Sequence, residues 1–178
     1  MSATKTRNGF KSSIEAKSGA KYSACYQCGK CSAGCPAAYG MDLLPHQVMR
    51  QIQLNHKDKV LNSRTIWMCA SCETCTTRCP KEVDIAKTMD ALREMAYAEG
   101  RISAQPDTVI FSEEFLNWVR RTGRQFESGL VGLYKLRTWH FFQDLDAAPK
   151  MMRKLKIFPR RIKGQAAVAR IFEKCKAK

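Results

Sequence analysis

Apolar residues along this chain recur at helical rather than strand spacing. Leu44, Val48 and Ile52 stand at i, i+4 and i+8, behind Asp42 as an expected cap and Pro45 as an expected first-turn residue. A second short helix is expected from about Ser63 into Met68. Asp84 is placed to cap a longer helix, with Ile85, Met89, Leu92 and Met95 or Ala96 as its apolar stripe and Gly100 as its end. Pro106 and Asp107 open another, in which Phe111, Phe115, Trp118 and Val119 share a face before Gly123 interrupts it. From Phe126 to Phe142 the pattern continues through Leu130, Leu133, Tyr134 and Leu136, weakened by Gly129 and Gly132. Alternating apolar and polar positions are hard to find, so the expected class is all-α.

Beyond Pro149 the pattern changes. Leu155, Ile157, Phe158 and Ile162 are isolated apolar residues in a Lys/Arg-rich background, and Pro159 argues against one continuous helix. The chain of 178 residues carries a formal charge of +15, and this is where the excess sits. Residues 25–100 hold nine basic and eight acidic side chains, and residues 101–149 six of each. Residues 150–178 hold eleven basic side chains against Glu173 alone. Such an arm suits an acidic protein face, an anionic lipid or nucleic acid, but no nucleic-acid-binding module is recognisable to present the charges. No apolar run is long enough to cross a membrane, and residues 1–21 lack the apolar core of an export signal. The cytoplasm is therefore the default compartment. In that setting nine cysteines argue for metal rather than disulfides.

Eight of them form an internal repeat. Cys25, Cys28, Cys31 and Cys35 are followed by Pro36. Cys69, Cys72, Cys75 and Cys79 are followed by Pro80, each 44 positions after its counterpart. Both copies read C-x2-C-x2-C-x3-C-P, the run that holds cubane iron–sulfur clusters. Three cysteines two residues apart let one loop wrap a cube, while the fourth begins the next element and serves the cluster of the other repeat. The expected ligands are Cys25, Cys28, Cys31 and Cys79 for cluster 1, and Cys69, Cys72, Cys75 and Cys35 for cluster 2. Structural zinc also uses pairs of CxxC, as an interaction protein would, but it needs four ligands and has no use for the doubled spacing. The residues between the cysteines are small or polar, which lets backbone N–H groups approach cluster sulfurs. Tyr26, Trp67 and Met68 are placed either to shield the clusters or simply to pack. Cys175 reads as an inert thiol, and His46, His56 and His140 as isolated. There is no phosphate loop, dinucleotide fingerprint or nucleophile elbow. No catalytic residue is expected: the chain carries electrons without holding the place where substrate reacts.

The stretch Cys25-Tyr-Gln-Cys-Gly-Lys-Cys-Ser-Ala-Gly-Cys-Pro36 resembles the first cluster motif of the heterodisulfide reductase C subunit. Trp67-Met-Cys-Ala-Ser-Cys-Glu-Thr-Cys-Thr-Thr-Arg-Cys-Pro80 resembles its second, and Val83-Asp84 and Arg121-Thr-Gly-Arg-Gln-Phe-Glu-Ser-Gly-Leu130 also fit. The cysteine runs alone are shared with the iron–sulfur subunits of fumarate reductase and quinone-linked dehydrogenases. The resemblance implies a helical ferredoxin fold with two 4Fe–4S clusters, in a complex of the soluble type rather than one fused to a membrane haem domain. In heterodisulfide reductase a flavin- and cluster-rich A subunit supplies electrons. The C subunit relays them to the B subunit, which reduces a disulfide. The expected organisation is a flexible segment over residues 1–24, a helical ferredoxin domain over 25–100, a helical region over 101–149, and a partner-docking basic arm over 150–178.

Overall fold

The computed structural model describes residues 7–102, 104–139, 158–159 and 162–176. Every regular element among them is helical, and the chain divides into two compact units, Met1–Gln105 and Pro106–Lys178.

The first unit opens with α1 (Arg7–Ser18), where a flexible segment was expected. The expectation followed from the polar composition before Cys25. What overrides it is a stripe at i, i+4 and i+8: Phe10, Ile14 and Ser18 are all buried. Phe10 and Ile14 join the core, and α1 packs along the later helix that carries Met89 and Leu92. Tyr22 then anchors the approach to the first cysteine. Its ring is fully buried, and its hydroxyl shares a hydrogen bond with Ser18 (2.9 Å) and donates to Thr88 Oγ1 (3.1 Å). Burial pushes the Tyr22 hydroxyl above its ordinary value of 10.0 despite those two bonds, so it stays protonated.

The first cysteine run winds through the one-turn helix α2 (Lys30–Ala33) and leads to α3 (Pro45–Gln53). The predicted face of α3 is confirmed by the complete burial of Val48 and Ile52, with Met49 beside them. Its start differs from expectation. Pro45 is the first helical residue, as anticipated, but Leu44 occupies the cap and its N–H is met by the Gln47 side chain at 2.9 Å. Two short helices follow, α4 (Lys57–Leu61) and α5 (Thr65–Met68). Asp42 belongs to the second of these. Its carboxylate accepts from the N–H groups of Leu43 (2.9 Å), Arg64 (2.9 Å) and Thr65 (3.0 Å) and from the Thr65 hydroxyl (2.7 Å). A carboxylate placed one turn too early to cap α3 thus satisfies the orphan donors of α5 from across the fold. Desolvation pushes the Asp42 carboxyl up, but the hydrogen bonds from Arg64, Thr65 and Leu43 outweigh it, and the carboxyl lies below its ordinary value of 3.8. A depressed folded-state value means stability that is present above the unfolded value and lost as pH falls through the folded one. Replacing Asp42 by Ala is therefore expected to cost about 1–2 kcal/mol near neutral pH. The gap between variant and wild type should narrow as pH drops below 3.8. Paired denaturant melts at neutral and acid pH measure both; a gap that does not depend on pH would contradict the assignment.

The second run passes through α6 (Thr74–Thr77), the counterpart of α2 at the same offset of 44, and into α7 (Ile85–Ala98). Asp84 caps α7 as expected, accepting from the Lys87 N–H at 3.0 Å. Of the stripe, Ile85, Met89, Leu92 and Ala96 are buried, with Met95 packed at the edge. Gly100, at φ +67°, ends the helix, and the bonds from Gly100 N–H to Tyr97 O and from Arg101 N–H to Ala96 O close it.

The second unit contains α8 (Pro106–Thr122), α9 (Glu127–Thr138) and α10 (Gln165–Lys176). The first two pack as a hairpin, with Trp118 edge-on to Phe126 at 5.0 Å and Phe111 edge-on to Tyr134 at 5.9 Å. Gly129 is a notch rather than a weak point: a Cβ there would lie 2.2 Å from the Trp118 ring. Buried Glu114 is neutralised by Arg137 at 2.8 Å. The division after Gln105 departs from the expected boundary at 100. The expected arm over 150–178 also falls differently, because α10 packs on α8 and the Ile162 N–H donates to Thr122 O at 3.2 Å. Leu155 and Ile157, and the continuation from Trp139 to Phe142, lie outside the described residues apart from Trp139 itself.

Candidate metal centre

The repeat seen in the sequence is also a repeat of backbone. In the first run Gln27 (φ +65°) and Gly29 (φ +77°) flank Cys28 in the left-handed region. In the second, Ser71 (φ +47°) and Glu73 (φ +61°) flank Cys72 in the same way. Three of these four are not glycine, and each such residue costs about 1–3 kcal/mol unless its surroundings impose it. Alternating right- and left-handed residues turn successive N–H groups inward and build a concave nest that favours negative charge. Behind each nest the short helix closes: Ala33 N–H returns to Gly29 O at 3.0 Å, and Thr77 N–H to Glu73 O at 3.1 Å.

The two halves meet where α2 packs on α6. Gly34 and Arg78, which are counterparts, face each other there, and a Cβ on Gly34 would lie 2.2 Å from the Arg78 guanidinium. Across this junction Cys35 joins the second run. One cavity is walled by Cys35, Cys69, Cys72 and Cys75, with Pro36, Met41, Pro45 and Met89 as apolar lining. Four thiols drawn from both repeats, around a space with an apolar wall, are what a cubane requires: one thiolate per iron and little water. Among the described residues, no three His, Cys, Asp or Glu side chains converge closely enough to hold a single ion. The four thiols line one volume, as a cluster requires.

The remaining four thiols of the two runs are Cys25, Cys28, Cys31 and Cys79. Cys25 accepts from Gln27 Nε2 at 3.3 Å, and Cys79 from the Val83 N–H at 3.4 Å. The Tyr26 hydroxyl bonds the Cys28 sulfur and feels charge on both Cys28 and Cys79, which raises its pKa. Gln53 ties this run to α3, donating to Tyr22 O (2.8 Å) and Cys25 O (2.9 Å).

Burial and charge divide the thiols. Burial pushes Cys31 and Cys69 up, and Cys75 up to about 11, with charge on Cys69 adding to the effect at Cys75. Such thiols lose their protons only to something strongly positive, as iron is. Cys72 moves the other way, because the Thr74 side chain, at 3.4 Å, hydrogen-bonds its sulfur. Cys28 and Cys72, the second cysteine of each run, are the exposed pair, so each site has one corner at the surface. Cys175 is exposed on α10, away from both runs in sequence.

Several partners escaped the sequence reading. His46 is not isolated: its Nδ1 lies 2.7 Å from Ser32 Oγ, and its N–H donates to the same oxygen at 3.0 Å. His56 Nδ1 pairs with Gln51 Oε1 at 2.7 Å, while His140 lies outside the described residues. Of the expected shields, Trp67 packs against the core, whereas Tyr26 is 57 % exposed. Met68 sits against Gly40, where a Cβ would come within 2.7 Å of its methyl group.

Residues 24–84 match the family model of the 4Fe-4S dicluster domain. The iron–sulfur C 2 subunit of the CoB–CoM heterodisulfide reductase of Methanocaldococcus jannaschii is 34% identical over 137 residues, 75% of this chain and 73% of that protein. The iron–sulfur C subunit of the CoB–CoM heterodisulfide reductase of Methanopyrus kandleri is 40% identical over 77 residues, 43% of this chain and 40% of that protein. The C subunit of the H2:CoB–CoM heterodisulfide,ferredoxin reductase of Methanothermobacter marburgensis is 32% identical over 91 residues, 51% of this chain and 49% of that protein. The match thus spans about half or less of the last two. No helix among the described residues is long and apolar enough to cross a membrane. Two cysteine runs on one helical scaffold and the dicluster match make this an iron–sulfur protein of electron transport that carries 4Fe–4S clusters. By the match along three quarters of its length, the chain belongs to the family of heterodisulfide reductase iron–sulfur C subunits.

Proposed function

We propose that this chain relays single electrons within a heterodisulfide reductase complex, from a flavin- and cluster-bearing A subunit to a disulfide-reducing B subunit, and that it is not itself the catalyst. The ligand sets are crossed: Cys25, Cys28, Cys31 and Cys79 hold cluster 1, and Cys69, Cys72, Cys75 and Cys35 hold cluster 2. The observation that carries this reading is the cavity in which Cys35 stands with Cys69, Cys72 and Cys75. A junction of that kind brings two clusters within the short range that electron transfer needs, and the exposed Cys28 and Cys72 give each cluster its own contact with the surface. The clusters supply the redox chemistry; the chain positions them, excludes water from the apolar wall and offers hydrogen bonds to the sulfurs. The complex is assigned to the cytoplasm, in keeping with the use of cysteine for metal.

The experiment is anaerobic reconstitution. The purified chain should carry about eight irons and eight sulfides. Alone it should exchange electrons with dyes but leave disulfides intact. Added to the A and B subunits, it should restore electron flow from donor to disulfide. Disulfide reduction by the chain alone at the rate of the full complex would refute the relay.

A further inference from the structure

Because the cysteine runs align without a gap, every residue beside a thiol in one run has a counterpart 44 positions away, and the counterparts differ in charge and hydrogen bonding. Tyr26, directly after Cys25, is matched by Ala70, whose side chain carries no donor. Gln27 donates to Cys25 Sγ at 3.3 Å; its counterpart Ser71 turns its hydroxyl away to Asp90 Oδ1 at 2.9 Å. Gly29 is matched by Glu73, which places a carboxylate directly after Cys72. Lys30 is matched by Thr74, which does bond Cys72 and partly offsets the difference.

The hydroxyls after the third cysteines make the contrast sharper. Ser32 Oγ accepts from the second N–H of α3 (His46, 3.0 Å), and Thr76 Oγ1 from the second N–H of α7 (Ala86, 3.2 Å). They are the same device in both halves. Behind Thr76 stands the Asp84 carboxylate at 3.4 Å, which can only accept and so holds the threonine proton. Behind Ser32 stands an imidazole, and Ser32 lies 4.0 Å from Cys31 Sγ. Lys81 adds positive charge on the same side, its Nζ 5.9 Å from the centre of the Tyr26 ring. On the other side Arg93 reaches Cys69 O at 3.3 Å but is paired with Asp90. Hydrogen bonds to sulfur and nearby positive charge favour the more negative, reduced form of a cluster; carboxylates disfavour it.

We propose that these differences between the repeats hold the site of Cys25, Cys28, Cys31 and Cys79 at a higher potential than the site of Cys35, Cys69, Cys72 and Cys75. Electrons then cross the chain from the second repeat's site to the first's, and leave where Cys28 and Tyr26 are exposed. The proposal rests on the crossed two-cluster reading above. The step moves one electron: the second site is oxidised, the first is reduced, and no bond or proton changes. The electron comes from a flavin or iron–sulfur donor, and in the test from dithionite.

The test is a redox titration of the full, cluster-loaded chain followed by electron paramagnetic resonance, after iron and sulfide have been counted. Two one-electron steps are expected, at least tenfold apart in reduction equilibrium, which is about 59 mV. Gln27→Met, which removes the donor 3.3 Å from Cys25 Sγ, should lower the upper step alone. Glu73→Gln, at an exposed position of unchanged backbone, should raise the lower step alone. A single unresolved step, either variant leaving its own step unmoved, or either variant moving the other's step would overturn the proposal. A folded chain free of iron and sulfide would instead refute the two-cluster reading, and the two failures are distinguishable by the metal count alone.

Discussion

Replacing Cys35 by serine is expected to remove the cluster of the second repeat and spare that of its own. The expectation follows from the wall that Cys35 shares with Cys69, Cys72 and Cys75. Serine is a poor ligand for iron, so the variant should fall from about eight irons per chain to about four, or to about seven if the damaged cube survives with three irons. Cys79→Ser should do the reverse, damaging the site of Cys25, Cys28 and Cys31. Because each cluster pins both halves, each variant should also unfold at lower denaturant than the wild type. Iron analysis with resonance spectra of the reduced variants decides the matter. The crossing is wrong if each serine changes only the spectrum of its own run.

Truncation after Pro149 is expected to leave both clusters in place and abolish co-purification with the B subunit. All eight cysteines proposed as ligands lie in the unit Met1–Gln105, which has its own buried core of Ile14, Ile52, Ile66 and Leu92. What the truncation removes is the most basic part of the chain together with α10. Cluster thiolates add roughly −4 to the first unit, so positive charge for an acidic partner face has to come from elsewhere. The second unit also exposes Leu116 and Leu136, and Phe158 is 80 % exposed, which suits an interface that combines apolar anchors with basic residues. Affinity purification through a tag on the first unit reads the outcome directly. Assembly and electron flow at the wild-type level would end the docking role.

The cysteine spacing foretold more of the site than the apolar pattern foretold of the fold. The spacing predicts that the fourth thiol of each run serves the other run, and in the structure Cys35 lines one cavity with Cys69, Cys72 and Cys75. The faces of α3 and α7 were equally readable, since Val48, Ile52, Met89 and Leu92 are large, apolar and evenly spaced. The helix α1 was not, because only Phe10 and Ile14 mark its face and the third member is a serine. Asp42 misled for a different reason. It has the right chemistry for a cap, and nothing local says that the donors it serves are those of Arg64 and Thr65. The pairing of Ser32 with His46 depends on how α2 packs against α3, which no residue in either element announces.

A cavity with Cys35 on one wall and Cys69, Cys72 and Cys75 on the other also says something about timing. If the ligand sets are crossed as proposed, the first run emerges during synthesis with three ligands of its own cluster and the fourth, Cys79, still unmade. The set with Cys35 is then complete only when Cys75 has left the ribosome, and the other only when Cys79 has. An iron–sulfur donor that met the half-made chain would find no finished acceptor. Loading is thereby deferred until both halves exist, and a nascent chain broken between the runs never offers a complete set of ligands.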